Sequence, residues 1–312
     1  MLKKAMSVLF VFVLCFSLTT AAFGDTSGTP YFEVKYTGFP GSVLPTETPQ
    51  FTVSAASDNP DPSKLITLGT VTAGTASKTV PINVPQNYEK AGKYAYTITQ
   101  SPGSIQGVTY DSTPIVFLVL VGYHDQDVLK VLDYGIDKPA GGQKKDSFTN
   151  SFSSGNLSIT NTVSGNTADR TRPHNITVTL SLPDNGATVQ NTITVQDGNG
   201  TTTTITPEQW GGGRTTSVTL NLRHSQSATI SGIPAGVNYS VTQETVSGYT
   251  QNITADTGTI SGGIANAVAV SNSSSITLAT GIYLNNIAYW IILAIAVVGL
   301  VLLLTRKKRR RS

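Results

Sequence analysis

Lys93-Tyr-Ala-Tyr-Thr-Ile-Thr-Gln100 and Val237-Asn-Tyr-Ser-Val-Thr-Gln243 decide the fold between them. In each, apolar and polar side chains alternate, the period of a strand with one face buried and the other wet. Each closes on Tyr-x-[Ile/Val]-Thr-Gln, and each is followed by a short segment ending in Asn: Phe148-Thr-Asn150 in the first half, Val270-Ser-Asn272 in the second. The chain therefore contains an internal repeat. Working outward, the same alternation predicts strands over Gln50–Ser54, Ile115–Val121, Leu157–Val163, Asn175–Ser181 and Ser217–Leu222. Turn-forming clusters such as Gly38-Phe-Pro-Gly41, Asp58-Asn-Pro-Asp-Pro62 and Asp197-Gly-Asn-Gly200 lie between strands. Short strands at this spacing predict β-sandwiches, and a stretch of about 250 residues suits two of them better than one. The expected units are 25–152 and 156–275, with Ser151–Asn156 as the linker.

The two ends have a different composition. Lys3 and Lys4, the apolar run Val8–Leu18, and Ala22 and Gly24 ahead of Asp25 form a secretion signal over residues 1–24. The chain's single cysteine, Cys15, lies inside that signal, behind a Leu14 too large for a lipoprotein site. The mature chain is thus expected to have neither disulfides nor thiolate metal sites. At the other end, within the terminal segment 277–312, residues 285–304 are apolar enough to span a bilayer. Arg306, Lys307, Lys308, Arg309, Arg310 and Arg311 follow, a basic cluster that stays cytoplasmic and leaves everything before it outside. The formal charge of +3 is misleading for that reason. Of 21 basic residues, two lie in the signal and six in the tail, so 13 face 18 acidic residues and the ectodomain carries about −5. That balance argues against a nucleic-acid partner.

On the stretches Ala91-Gly-Lys-Tyr-Ala-Tyr-Thr-Ile-Thr-Gln100, Gly107-Val-Thr-Tyr-Asp111, Phe148-Thr-Asn150, Leu157-Ser-Ile-Thr-Asn-Thr-Val-Ser-Gly165, Ile233-Pro-Ala-Gly-Val-Asn-Tyr239 and Leu278-Ala-Thr-Gly281, the sequence resembles the streptococcal-type pilin isopeptide-linkage family of Gram-positive surface proteins. The resemblance implies an all-β fold of two tandem Ig-like (collagen-adhesin B-type) sandwiches plus one C-terminal transmembrane helix. It also implies a covalent stitch in each sandwich, between a Lys on the first strand and an Asn on the last, with a buried Glu acting as proton carrier. That chemistry requires a neutral amine, which burial favours, and an acid able to protonate the leaving amide.

Carried over residue by residue, the acceptor asparagines are Asn150 and Asn272, but Gln100 and Gln243 stand at the Glu positions. A glutamine can hydrogen-bond a carbonyl and cannot carry a proton. In the second unit Asn161 takes the Lys place on the inward face of Leu157, Ile159, Asn161 and Val163, and Glu244 next to Gln243 belongs to the opposite face. In the first, Lys35 is the candidate lysine. The alternation Phe32, Val34, Tyr36 instead points Tyr36 inward and Lys35 out beside Glu33. No catalytic residue and no autocatalytic bond are therefore expected in either unit.

Thr280-Gly281 stands just ahead of the span, where a sortase substrate would be cut, although Leu278 occupies the place of the motif's proline. The alternatives are sortase linkage to peptidoglycan or to other pilin subunits, and simple retention in the membrane through the helix. Lys144 and Lys145 are candidate polymerisation lysines. His124, His174 and His224 lack ligand spacing, and Asp125-Gln-Asp127 is an acidic turn, so neither a metal nor a cofactor is expected. The leading reading is a non-enzymatic structural protein of the cell surface, a pilin subunit or a pilin-like wall- or membrane-anchored protein. A membrane-tethered adhesin with a host or matrix ligand is the alternative.

Overall fold

The computed structural model describes residues 28–40, 45–71, 77–124, 128–183, 186–212, 214–276 and 287–309. The signal sequence, Asp125-Gln-Asp127 and Thr280-Gly281 lie outside them. The chain folds as two tandem Ig-like β-sandwiches followed by one apolar helix.

The first sandwich is built from β1 (Tyr31–Thr37), β2 (Gln50–Ala55), β3 (Thr67–Leu68), β4 (Ser77–Asn83), β5 (Gly92–Ser101), β6 (Val108–Thr109), β7 (Ile115–His124), β8 (Val128–Asp137) and β9 (Ser147–Phe152). One sheet has the order β3-β4-β1-β9-β6 and the other β2-β5-β7-β8. Their inner faces supply a core of Phe32, Val34, Val80, Ile82, Tyr94, Tyr96, Ile98, Phe117 and Phe148. Burial of each of these large side chains contributes about 1.5–3 kcal/mol before conformational entropy is counted.

The second sandwich repeats the plan with β10 (Ser154–Ser164), β11 (His174–Ser181), β12 (Ile193–Gln196), β13 (Thr202–Ile205), β14 (Thr215–Leu222), β15 (Ser227–Pro234), β16 (Asn238–Gln243), β17 (Thr250–Thr254), β18 (Thr257–Thr259) and β19 (Ala265–Ser273). Its sheets have the orders β13-β12-β15-β10-β19-β17 and β14-β11-β16-β18. Leu157, Ile159, Ile176, Val178, Leu180, Ile230 and Ile233 lie in its core. The helix α1 spans Ile287–Arg309, and its segment Tyr289–Arg306 is long and apolar enough to cross a membrane.

The expected linker Ser151–Asn156 is nearly all strand: β9 ends at Phe152 and β10 starts at Ser154, leaving Ser153 alone between the sandwiches. Backbone pairing holds this joint. Ser153 N–H donates to Gly107 O at 2.9 Å and Ala235 N–H donates to Ser153 O at 3.0 Å. Beside it, Gln106 N–H donates to Thr188 O at 2.9 Å, and Thr188 N–H to Ser104 O at 2.8 Å. Gly107 turns there with φ of +85°, a conformation costly for any residue with a Cβ.

Strand β8 was absent from the strands read in the sequence. Leu120 pairs with Asp133 and Val121 with Val131, so Leu132 is an extra residue in the ladder. A bulge of this kind breaks the two-residue period on which the reading depends.

Candidate cross-link sites

Both sites form where the first and last strands of a sandwich run parallel and adjacent. In the first sandwich β1 lies beside β9 with Tyr36 opposite Asn150. In the second β10 lies beside β19, with Asn161 opposite Val270 and Val163 opposite Asn272. Asn150, Asn161 and Asn272 are all fully buried. Buried carboxamides must find partners, since each orphaned donor or acceptor costs about 1–3 kcal/mol.

In the second sandwich the amides satisfy one another. Gln243 Nε2 donates to Asn272 Oδ1 at 2.7 Å, and Asn272 Nδ2 donates back to Gln243 Oε1 at 2.9 Å. Asn272 Nδ2 also donates to Asn161 Oδ1 at 2.9 Å, and Asn161 Nδ2 donates to Leu222 O at 2.8 Å. His174 lies against this cluster, its Nδ1 3.4 Å from Gln243 Nε2 and its ring edge-on to Tyr249. Burial, with Arg172 adding to it, holds the His174 imidazole below its ordinary pKa, while Asp169 opposes. Glu244 lies on the exposed face, accepting from Asn175 Nδ2 at 2.8 Å. Of the other histidines, His224 Nδ1 accepts from Val163 N–H at 2.9 Å, and His124 is exposed near the tip of β7.

The first sandwich is arranged differently. Asn150 Oδ1 accepts from Asp111 N–H at 3.0 Å and from Gln100 Nε2 at 3.2 Å. Asn150 Nδ2 and Gln100 Oε1, both buried, make no hydrogen bond among the described residues. The Tyr36 hydroxyl donates to Glu47 Oε1 at 2.8 Å, and Tyr110 donates to the same carboxylate at 2.8 Å. Burial raises the pKa of the Tyr36 phenol far above the tyrosine range, and Glu47 adds to the effect.

Lys78, on β4 opposite Val34, is 2% exposed. Its Nζ donates to Pro45 O at 3.0 Å and Glu47 O at 2.8 Å, and it lies 5.1 Å from the centroid of the Tyr36 ring. Burial lowers its pKa, partly offset by Glu47. The buried amine of this sandwich thus clamps the Pro45–Glu47 segment, and the residue opposite the acceptor asparagine is a tyrosine.

Lys35 projects to solvent and pairs with Glu33 at 2.8 Å. Lys145 Nζ donates to Asp111 Oδ2 and to Thr113 O, both at 2.7 Å, and lies 4.5 Å from the centroid of the Phe148 ring. Burial alone would raise the Asp111 pKa. Lys145 and the N–H groups of Thr149 and Thr113 outweigh it and hold the carboxyl below its usual range. Lys144, the neighbouring residue, is exposed. Among the described residues no group of three His, Cys, Asp or Glu is placed to hold a metal ion.

Comparison with known proteins agrees with this architecture. A domain of unknown function, DUF7601, matches residues 155–274. A curated protein named Pilin from Streptococcus pyogenes serotype M1 is 24% identical over 184 residues, covering 58% of this chain and 53% of that protein. The chain is similar to the Gram-positive pilins. Its fold matches a variant of the Streptococcus pyogenes major pilin with a TM-score of 0.58 at 20% identity, over 79% of this chain and 98% of that one. The major pilin T-13 of the same organism gives 0.52 at 19% identity, over 79% and 97%. The alignment with the curated Pilin spans about half of that protein's length.

Five residues of the two sites have no role assigned to them there from the sequence: Glu47, Lys78, Tyr110, Asp111 and His174. Two of them carried a local signal: Lys78 is in phase with Val80 and Ile82, and His174 with Ile176, Val178 and Leu180, which places a polar group on the apolar face of each strand. Tyr110 and Asp111 lie in the Gly107–Asp111 stretch that carries the resemblance, with nothing local to mark their partners, and nothing in the neighbourhood of Glu47 marks it.

Proposed function

We propose that this chain is a structural cell-surface protein of the pilin type, with no enzymatic activity of its own. Its two units, 25–152 and 156–275, stand outside the cell on the C-terminal helix, and non-covalent networks replace the Lys–Asn stitch in both. The observation that carries this reading is the pair of buried acceptors to which, among the described residues, no lysine is hydrogen-bonded: Asn272 is bonded to Asn161 and Gln243, and Asn150 lies opposite Tyr36 and is bonded to Gln100. A glutamine in place of the acid removes the proton carrier as well. Thr280-Gly281 is the proposed processing site, coupling the protein to peptidoglycan or to another subunit. Lys144 and Lys145, just ahead of β9, are the proposed polymerisation lysines, and Asp111 holds Lys145 in an ion pair.

Intact-mass measurement of the purified chain, referred to its determined N-terminus, tests the central claim. Each Lys–Asn bond releases one ammonia, so the expected mass is that of the uncross-linked sequence. A deficit of about 17 Da or twice that would sink the reading.

A further inference from the structure

The strand order sets out a path for force. Tension entering at the N-terminus reaches β1, crosses the parallel β1–β9 ladder, continues through Ser153 into β10, crosses the parallel β10–β19 ladder and leaves towards α1. Pulling parallel neighbours from opposite ends slides them along their length. All the ladder hydrogen bonds are then loaded together, whereas an antiparallel hairpin pulled at its open end yields one bond at a time.

The two ladders are unequal. The first runs from Glu33 opposite Ser147 to Thr37 opposite Ser151. The second runs from Asn156 opposite Ala265 to Ser164 opposite Ser273. Inside the second, the Asn272–Asn161 hydrogen bond joins the two sliding strands directly. Across the first, the Tyr36 hydroxyl bonds Glu47, and the side chains that join the two strands include the Thr37 Oγ1 to Asn150 O contact at 3.3 Å and the Phe32–Phe148 ring pair, 5.6 Å between centroids.

We propose that the protein bears tension as two non-covalent shear clamps in series and lengthens under load, the first sandwich opening at lower force than the second. Residues 143–145 lie just ahead of β9, so a load applied there runs through β9 into β10 and leaves the first sandwich unstressed. The proposal rests on the absence of a Lys–Asn bond, because a covalent stitch between terminal strands would prevent either sandwich from extending.

Single-molecule force spectroscopy on the full chain in detergent tests it. Cysteine handles are placed by T29C and S275C, with C15S removing the native thiol, on protein whose intact mass has been recorded. Two extension steps are expected, each of about 40 nm for roughly 120 released residues at about 3.5 Å apiece. With handles at Q143C and S275C, only the higher-force step remains. N161A is expected to lower the force of that step and leave the other in place.

Protein of unreduced mass that shows no steps would overturn the clamp proposal, because rupture under force follows the unfolding rate of an uncross-linked fold. Missing steps together with a 17 Da deficit would overturn the uncross-linked reading instead. Two steps persisting with the Q143C handle would overturn the force path. The handle comparison needs no core substitution, so it decides the matter even if N161A does not fold.

Discussion

Asn150 and Asn272 occupy the same place in two sandwiches of one plan, each bonded to a glutamine from the facing sheet, yet their surroundings have diverged. Around Asn272 the neighbour on the first strand is a second asparagine, and three carboxamides close into a network in which every donor of Asn272 is used. Around Asn150 the neighbour is Tyr36, whose longer side chain reaches past the asparagine to Glu47. There the polar interactions have moved to Glu47, which gathers Tyr36, Tyr110 and the backbone of Ser104. The amide pair behind is left with one unmet donor and one unmet acceptor. The two sites differ in the first-strand residue nearest the acceptor asparagine, Asn161 in one and Tyr36 in the other, and in the groups that loops and other strands bring to it.

If the second site is a closed network, removing its centre should be costly and local. N272A removes the partners of Gln243 Oε1 and Asn161 Oδ1 and leaves Gln243 Nε2 only the longer contact to His174, and should destabilise the second sandwich by about 3–5 kcal/mol. Hydrogen exchange should show lost protection in β10 and β19 and none in β1 and β9. Equal losses in both sandwiches would remove the distinction between them.

The first site should respond less. Y36F keeps the ring over Lys78 and deletes one hydrogen bond to the Glu47 carboxylate, which retains Tyr110 and Ser104 N–H. The expected cost is about 1.5–3 kcal/mol, read by denaturant unfolding of the first sandwich. A neutral result would mean that Glu47 is not the centre of that site.

The smallest effect separates the two sandwiches by pH. The folded-state pKa of His174 is depressed, so the unfolded chain takes the proton first. Its contribution to stability is complete above the unfolded value of about 6.5 and is lost as pH falls from there through the lowered folded value. Second-sandwich stability should therefore decline in mild acid with a slope of at most about 1.4 kcal/mol per pH unit from this group. H174F should flatten that decline. A first sandwich that loses stability over the same window to the same extent would contradict the assignment, since no histidine is buried there.

Much of this architecture was legible in the chain. The alternation in Tyr94–Gln100 and Leu157–Val163 set the inward faces of those strands, that of Phe32, Val34 and Tyr36 the outward direction of Lys35, and that of Tyr239–Gln243 the outward direction of Glu244. Of the features that were not legible, two have a definite physical cause. The bulge at Leu132 hid β8, because one added residue inverts the phase that reveals a strand. The linker was read too long because Ser and Gly near 151–156 suggest a loop, whereas backbone pairing on both sides of Ser153 draws those residues into strands.

By itself, then, the sequence determined the twofold β repeat, the apolar terminal helix with its basic tail, and the residue types at the expected cross-link positions: two asparagines, two glutamines, a tyrosine and a third asparagine. The repeat and the helix follow from local periodicity and composition, which state which way a side chain faces, and the cross-link positions follow from the family resemblance. Only the tertiary structure decided what each buried polar group meets there. Glu47 comes to Tyr36, Lys78 to the carbonyls of Pro45 and Glu47, Asp111 to both Asn150 and Lys145, and His174 to Gln243, from strands and loops remote in sequence. A polar group taken out of water must pair with whatever packing brings within about 3 Å, and that partner is a property of the assembled sheets.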